Sequence, residues 1–457
     1  MTILVALVAA LLSSPPPSVP LAACTLSHPS GTKLQARCGA VSVKVGTTPI
    51  ELAFAVVPSS SAEPSATPVL LLAGGPGQSG TRDFVALAGV LERLRMDRDV
   101  VLVDVRGTGR SSPMNCHDTR SIADRMAGVG DEESLARCLK EQKLDLAHVT
   151  TADAVADLDV VRQALSVDRW HVLGVSYGTR LAVAYDAAHR AHTASLVLDG
   201  VAPLDRALGD DVAADMAASL RALGEATVAD FRSLNQQLAS SPLPLVVAHP
   251  TTFVSTPLTM TSTVLGGAVR MLLYSDETRA VLPQLLRSAV QGDFRPLAGM
   301  AVMAFSQLDG AIHVPVNIAV LCAEDVPFLS VASRTIDALF DDDSAAMVAA
   351  CKAFTPAVVK AFRPGPSSTP TMLLSGQFDP ITPPHHARRA EALFSNHRHL
   401  VVGGHGHNVL PRGCIPGLVA ETLVAVDLGK SLMSVDADCV ERLGSFPVFV
   451  DLMGPQP

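Results

Sequence analysis

The strongest chemical signal in the sequence is a serine between two glycines, in the pentapeptide Gly-Val-Ser-Tyr-Gly at residues 174–178. A strand is predicted before it and a helix after it (179–187), which is the context that a G-x-S-x-G nucleophile requires. The turn is sharp, so the residues flanking the serine must be small, and the glycines meet that need. We therefore predict that Ser176 is a nucleophile and that the amide of Tyr177 donates to the oxyanion.

A second glycine-rich turn, Gly-Gly-Pro-Gly at residues 74–77, follows another predicted strand. Consecutive glycines let the backbone approach a substrate carbonyl and aim an N–H group at it. The pattern predicts a second oxyanion donor at Gly75, although a turn without a chemical role has the same composition.

A serine at its ordinary pKa needs a base, and that base needs an orienting acid. After a G-x-S-x-G serine, the expected chain order is acid and then histidine. Asp379 follows the predicted strand 371–375, and His405 and His407 follow the strand 399–402. Asp199 also follows a strand, but Asp379 is favoured because a Pro-containing turn comes next. Spacing alone does not decide between His405 and His407.

Short runs rich in valine and leucine that end in Gly-rich turns indicate a parallel sheet of buried strands. Helical spacing between them, clearest at residues 152–165, predicts connecting helices. Two earlier runs, 41–45 and 51–57, lie close together and predict an antiparallel hairpin at the sheet edge. The six clearest predicted strands cover residues 68–73, 100–105, 170–175, 195–198, 371–375 and 399–402.

The alternation of strands and helices stops after residue 198 and resumes at 371. Between about residues 204 and 363 the pattern is mainly helical, so we expect one α/β core interrupted by a helical insertion. The predicted organisation is a signal peptide (1–23), a first core part (24–203), a helical cap (204–365) and a second core part (366–457).

Composition and the N-terminus bear on location and partners. The 457 residues are 48% hydrophobic and carry a net charge of -9, which argues against nucleic acid as a partner. Residues 3–12 form an apolar run of signal-peptide length, followed by prolines and small residues, although no Lys or Arg precedes it. That run is too short to span a membrane. We expect a secreted or periplasmic protein, and the eight cysteines suit disulfides in such a compartment.

The sequence resembles the exported prolyl/tripeptidyl aminopeptidase-like branch of the α/β-hydrolase family. This resemblance implies an α/β-hydrolase fold, with a mostly parallel sheet, an N-terminal antiparallel hairpin and an inserted helical cap. The family's histidine stands in a Gly-His pair seven residues before a late cysteine, which implies His407, with Cys414 following. Prolyl aminopeptidases usually have a histidine where this chain has Ala73, which weakens a strict proline-specific interpretation. The motifs that carry the resemblance are at residues 74–80, 104–111, 174–178 and 378–383.

The resemblance also implies four disulfides between cysteines that are neighbours in sequence, whereas the sequence alone allows 105 pairings. The segment before Cys24 has the form of a bacterial lipoprotein cleavage site, and a lipidated Cys24 would be unable to pair with Cys38. The implied pairs are Cys24–Cys38, Cys116–Cys138, Cys322–Cys351 and Cys414–Cys439.

In this family, acidic residues of the cap bind the free amino terminus of the substrate. The resemblance implies that role for Glu324, and secondarily for Asp325, while a solvated acidic pair beside a disulfide is the plainer explanation. We expect an aminopeptidase of the prolyl or tripeptidyl type that needs no cofactor and no metal. An esterase or amidase with the same triad is the main alternative, and a binding protein on an inactive hydrolase scaffold is the third.

Overall fold

The computed structural model describes residues 19–116, 122–126, 132–308, 310–330, 339–340, 344–354, 356, 360–451 and 454–455. Most of the predicted signal peptide, residues 1–18, lies outside the described residues. Residues Ala22 and Ala23, which the prediction assigned to the signal peptide, lie in the first strand of the fold.

Within the part of the chain that the structure describes, nine strands form one sheet in the order β1-β2-β3-β5-β4-β6-β7-β10-β11. The first four of that order pair antiparallel, and the strands from β5 to β11 pair parallel. The predicted hairpin of residues 41–57 is confirmed as β2 and β3, but its predicted place at the sheet edge is wrong, because β1 pairs with β2 on the outer side. The strands are β1 (Ala22–Ser27), β2 (Lys33–Val45), β3 (Thr48–Val57), β4 (Ser65–Leu72), β5 (Arg98–Val103), β6 (Trp170–Val175), β7 (Thr193–Asp199), β8 (Leu243–Ala248), β9 (Ser255–Met260), β10 (Thr371–Gly376), β11 (His397–Val402), β12 (Phe449–Asp451) and β13 (Gly454–Pro455).

Helices pack on both faces of this sheet and form most of the segment between β7 and β10. The helices are α1 (Gly80–Asp83), α2 (Ala88–Leu94), α3 (Ile122–Met126), α4 (Glu132–Lys140), α5 (Thr151–Ala164), α6 (Tyr177–His189), α7 (Val212–Arg221), α8 (Glu225–Ser240), α9 (Ser262–Leu273), α10 (Asp276–Val290), α11 (Arg295–Leu308), α12 (Val314–Glu324), α13 (Ser344–Lys352), α14 (Pro384–Glu391), α15 (Ile415–Asp427) and α16 (Asp438–Glu441).

The central parallel strands are buried on both sides because alternate residues enter different hydrophobic clusters. In β4, Leu70 and Leu72 join one cluster while Val69 and Leu71 join the other. This explains why the parallel strands read as continuous apolar runs rather than as alternating patterns.

The segment between β7 and β10 has a hydrophobic cluster of its own, to which α8, α9, α10 and α11 contribute. We call the residues from 204 to 365 the cap, as in the prediction. The cap also contains the antiparallel hairpin of β8 and β9, which the sequence patterns did not indicate. No helix among the described residues is long and apolar enough to cross a lipid bilayer.

Candidate active site

Ser176 stands at the turn from β6 to α6, in a backbone conformation that few side chains adopt. Its φ of 55° and ψ of -124° mark a strained turn of the kind that projects a nucleophile above the sheet. The Ser176 amide donates to the Asp199 carbonyl of the neighbouring strand at 2.9 Å. A β-carbon on Gly178 would lie 2.2 Å from the Leu72 carbonyl oxygen, so the second glycine of the motif is required by close packing.

Asp379 and His407 come together although 28 residues separate them, because β10 and β11 are adjacent parallel strands that end at the same edge of the sheet. His407 Nδ1 and Asp379 Oδ2 are 2.8 Å apart. The other oxygen of Asp379 accepts the amides of Ile381 and Thr382, each at 2.8 Å. The Thr382 hydroxyl donates to Oδ2 at 2.8 Å, so the carboxylate is fixed from several sides.

The electrostatics of this pair suit an orienting acid and a base. Burial by itself raises the pKa of the Asp379 carboxyl, but His407 and the amides of Thr382 and Ile381 outweigh burial and lower that pKa. Burial by itself lowers the pKa of His407, but Asp379, with a smaller contribution from Asp199, outweighs it and raises that pKa. The charged form of His407 is therefore stabilised, as a base needs once it has accepted a proton.

Asp199, the alternative acid, has a different position. Its two oxygens accept the amides of Val409 and Leu410 at 3.0 and 2.8 Å, which anchors the chain just after His407. Burial raises the pKa of Asp199 to about 6, although these two amides oppose the shift. The acid bonded to the histidine is thus Asp379, as the sequence argument favoured.

The two predicted oxyanion donors flank Ser176. Tyr177 is the first residue of α6, where helical geometry leaves the amide without a partner inside the helix. Gly75 adopts a φ of +106°, which favours glycine, and a β-carbon on the preceding Gly74 would lie 3.0 Å from the Ser176 β-carbon. The turn 74–77 therefore lies directly against the serine.

Ser176, His407 and Gly75 line one cavity of about 650 Å³ between the core and the cap. Its size is that of an ordinary small-molecule pocket. Much of the wall comes from the cap and is apolar, with amide, hydroxyl and guanidinium groups between the apolar side chains. The wall residues include Met216, Phe231, Asn235, Arg270, Met271, Tyr274, Phe305, Asn317 and Phe340 from the cap, and Gln78, Arg125, Met126 and Ile381 from the core.

The prediction for Glu324 and Asp325 needs correction, because neither residue lines this cavity. Glu324 is 8% exposed, and its two oxygens accept the amide and the hydroxyl of Thr151 at 2.6 and 2.5 Å. Asp325 is fully buried and accepts from Arg180 and the Leu208 amide at 2.8 and 2.7 Å. Both carboxylates bind groups of the protein itself, so the structure does not support their role in binding a substrate amine.

His405, the other candidate base, points away from the acid. Its Nδ1 lies 2.6 Å from the carboxylate of Asp276 in the cap, whereas His407 is bonded to Asp379. The structure thus assigns the two histidines different partners, which the spacing in the sequence left open.

All eight cysteines form disulfides, and the pairing between sequence neighbours is confirmed: Cys24–Cys38, Cys116–Cys138, Cys322–Cys351 and Cys414–Cys439. A lipidated Cys24 would be unable to form the first of these bonds.

Among the residues that the structure describes, one group of side chains has ligand atoms close enough to share a metal ion, namely Asp211, His385 and His386. The Arg389 guanidinium already lies among them, 2.5 Å from His386 Nδ1 and 3.3 Å from Asp211. This cluster is an ion-pair network between cap and core, and it lies outside the cavity of Ser176.

The comparison with protein-family models matches residues 67–413 to the alpha/beta hydrolase fold. The chain belongs to the alpha/beta hydrolase family. The predicted fold is thereby confirmed, and the match includes all three of Ser176, Asp379 and His407.

Curated relatives agree with the aminopeptidase-like resemblance. The chain is 34% identical over 145 residues to a tripeptidyl aminopeptidase of Streptomyces coelicolor, covering 28% of this chain and 27% of that protein. It is 34% identical over 143 residues to a proline iminopeptidase of Xylella fastidiosa, covering 31% and 35%. It is 28% identical over 162 residues to the putative hydrolase YuaR of Escherichia coli K12, covering 34% and 32%. The matched part thus spans about a third or less of these relatives.

Proposed function

We propose that this α/β-hydrolase is a serine hydrolase that cleaves the amide bond at the free N-terminal end of small peptides. Ser176 is the nucleophile, His407 the base and Asp379 the acid that orients it. One observation carries the proposal: a histidine bonded at 2.8 Å to a buried aspartate faces the same cavity as the serine at the strained turn.

In this proposal, His407 Nε2 takes the proton of the Ser176 hydroxyl while the oxygen attacks the substrate carbonyl carbon. The amides of Gly75 and Tyr177 donate to the oxyanion that forms. His407 then returns the proton to the leaving amine, the C–N bond breaks, and an ester to Ser176 remains. A water molecule, deprotonated by His407, attacks this ester and releases the acid, which restores the serine.

Two findings support an N-terminal exopeptidase within the serine hydrolases. The cap covers the site and encloses a cavity sized for a small molecule, which disfavours a long chain passing through. Relatives named tripeptidyl aminopeptidase and proline iminopeptidase share about a third of residues in the matched parts.

A specific observation favours the second candidate, an esterase or amidase acting on small esters or amides. Among the described residues, the charged side chains of the cavity wall are two arginines, Arg125 and Arg270, and no carboxylate lines it. A free α-amine is a cation, and a carboxylate would be its strongest partner. Substrates without a free amine are therefore the right comparison.

The test is a matched panel of p-nitroanilides with one to three residues, each with a free and an N-acetylated amine, together with p-nitrophenyl acetate and butyrate. The aminopeptidase proposal expects the free forms to have at least about a tenfold advantage in kcat/KM, since blocking removes an ammonium group whose N–H donors make charge-assisted hydrogen bonds to neutral oxygens such as those of Asn235 and Asn317 in the wall. Equal hydrolysis of both forms, with faster ester hydrolysis, would establish the esterase or amidase instead.

We also propose that the protein is secreted or periplasmic. The four disulfides support this location, because they persist in oxidising compartments. Fractionation of a bacterial host with quantification of free thiols tests it. Cytoplasmic retention of a protein with eight free thiols would contradict both the location and the pairing.

A further inference from the structure

Asp276, the first residue of cap helix α10, contacts the loop that carries the candidate base. Its Oδ1 accepts the Gly406 amide at 2.6 Å, and its Oδ2 lies 2.6 Å from His405 Nδ1. The side chain is 3% exposed and reaches a loop about 130 residues further along the chain. One carboxylate therefore binds both residues that precede His407.

The loop has little freedom to shift toward the sheet. A β-carbon on Gly376, at the end of β10, would lie 1.9 Å from the Gly406 carbonyl oxygen, so the loop is already in close contact with that strand. On the cap side, the Tyr274 carbonyl accepts the His407 amide at 3.3 Å, and the Tyr274 ring packs edge-on against the imidazole at 5.5 Å. Asp276 thus holds the loop on the side where only the cap contacts it.

The charges around Asp276 favour a fixed carboxylate. Arg412 Nε lies 3.2 Å from Oδ2, and the guanidinium of Arg412 also pairs with the neighbouring Glu277 at 2.7 Å. Burial of the Arg279 side chain in the same helix lowers its pKa to about 10, although the nearby Asp276 carboxylate acts to raise that pKa. Charge-assisted hydrogen bonds of this kind are short and directional.

We propose that Asp276 is a positioning residue: it holds the 405–407 loop so that His407 stays bonded to Asp379 and directed at Ser176. This inference rests on the proposed role of His407 as base. Asp276 touches neither the cavity nor the imidazole of His407, so it acts through the loop backbone. The cap would then set the rate of the chemical step as well as cover the substrate.

The test measures the rate at which a fluorophosphonate labels Ser176, together with kcat and KM for p-nitrophenyl acetate, between pH 5 and 9. The variants are Asp276→Ala and Asp276→Asn, with Glu277→Gln as the matched control. Glu277 pairs with the same Arg412, but its side chain is 54% exposed and it does not take part in the hydrogen bonds by which Asp276 holds the loop. Thermal unfolding of each variant verifies that it is folded.

We expect Asp276→Ala to lower the labelling rate and kcat by about 10- to 100-fold, as for a small misplacement of a reacting group, with KM little changed. The apparent pKa of the rate should fall, because the Asp379 contact that raises the His407 pKa is weakened. Asp276→Asn keeps an oxygen for the Gly406 amide and should lie between the alanine variant and the wild type. Glu277→Gln should behave as the wild type does.

A folded Asp276→Ala protein with the wild-type rate and pH profile would overturn the inference, as would equal slowing in Asp276→Ala and Glu277→Gln without a change in apparent pKa. If the alanine variant does not fold, an asparagine variant indistinguishable from the wild type overturns it instead. The variant His407→Ala distinguishes a wrong base from a wrong inference about Asp276. If the fluorophosphonate labels Ser176 in His407→Ala as fast as in the wild type, His407 is not the base, and the inference about Asp276 fails with it.

Discussion

The candidate nucleophile and the remaining candidate catalytic groups are held in different ways. The turn that carries Ser176 is bonded to the core: its amide donates to the Asp199 carbonyl in the next strand, and Gly178 packs against Leu72. The cap contacts the following helix further along, through the ion pair of Arg180 with Asp325. The loops that carry Asp379 and His407 also contact the cap. Ser219 donates to the Phe378 carbonyl at 2.7 Å, and Asp276 binds Gly406.

The turn that carries Gly75 also contacts the cap, as the loops of Asp379 and His407 do. The Asn317 side chain in α12 donates to the Pro76 carbonyl at 3.0 Å, and the His313 amide donates to the Gly77 carbonyl at 2.9 Å. The backbone contacts of the Ser176 turn thus come from the core. Under the proposed mechanism, activation of the serine and stabilisation of the oxyanion depend in addition on a cap that is docked correctly.

The largest expected effect is at the core-held residue. Ser176→Ala should lower kcat by about 10⁶-fold, because the remaining groups cannot replace a nucleophile. Fold and cap docking should be unaffected, since neither depends on the hydroxyl. Turnover of a p-nitrophenyl ester and fluorophosphonate labelling measure the loss, and a variant that keeps more than a few per cent of the activity would contradict the assignment.

Variants of the two histidines in the 405–407 loop distinguish the base from a residue that only supports the loop. His407→Ala should lose nearly as much activity as the serine variant, because nothing else takes up the serine proton. His405→Ala removes one contact to Asp276 but leaves the Gly406 amide bonded to it, so substantial activity should remain. kcat measurements on both variants decide the matter, and a reversed order would exchange the two roles.

The two buried aspartates form a second matched pair. Asp379→Asn should lower kcat by about 10⁴-fold, because an amide opposite Nδ1 favours the wrong tautomer of the histidine. Asp199→Asn keeps an oxygen for one of the Val409 and Leu410 amides and turns an NH2 group toward the other, which loosens the chain after His407 but leaves the Asp379 bond, so its effect should be smaller. If Asp199→Asn proves the more damaging variant, the acid lies on β7 and the 2.8 Å bond of Asp379 is only structural.

The difference between core and cap also explains what the sequence could predict. The six parallel strands were predicted within a few residues because most are buried on both faces and end in glycine-rich turns, whereas β2, predicted at 41–45, begins already at Lys33. The strand ends pointed to Asp379 and to the pair His405 and His407, because the ends of adjacent parallel strands meet at one edge, and the choice of His407 came from the family resemblance. Strand β1 and the β8–β9 hairpin were missed, since neither forms a long apolar run.

The residues that join cap and core could not be predicted in this way. Glu324 was expected in the cavity, but its partner Thr151 lies 173 residues earlier, and no local pattern encodes that contact. Asp276 looks like an ordinary acidic residue in the first turn of a helix, which the helix dipole favours in any case. Only the docked arrangement shows that it binds the loop before His407.

The pH profile tests the electrostatics of the base. The Asp379 contact raises the pKa of His407 above its ordinary value of 6.5, and only the neutral imidazole accepts the serine proton. Activity should therefore rise with pH, with an apparent pKa above 6.5, and fall about tenfold per pH unit below it. The kcat/KM profile of the wild type measures this limb, and a flat profile from pH 5 to 8 would contradict a histidine base.

The smallest effect on kcat is expected where the cap contacts the turn of residues 74–77, which carries the proposed oxyanion donor Gly75. Asn317→Ala removes the bond to the Pro76 carbonyl but leaves the Gly75 and Tyr177 amides in place. Deleting an oxyanion donor outright lowers kcat by about 10²- to 10³-fold, so loosening its support should lower kcat by less, about three- to tenfold. Because Asn317 also lines the cavity, its substitution can act through substrate binding as well as through the turn. We therefore compare kcat and KM for two substrates with different acyl groups. A similar fall in kcat for both indicates a role at the oxyanion, whereas a change in KM for one alone would show that Asn317 contacts the substrate and that the turn is held by the core.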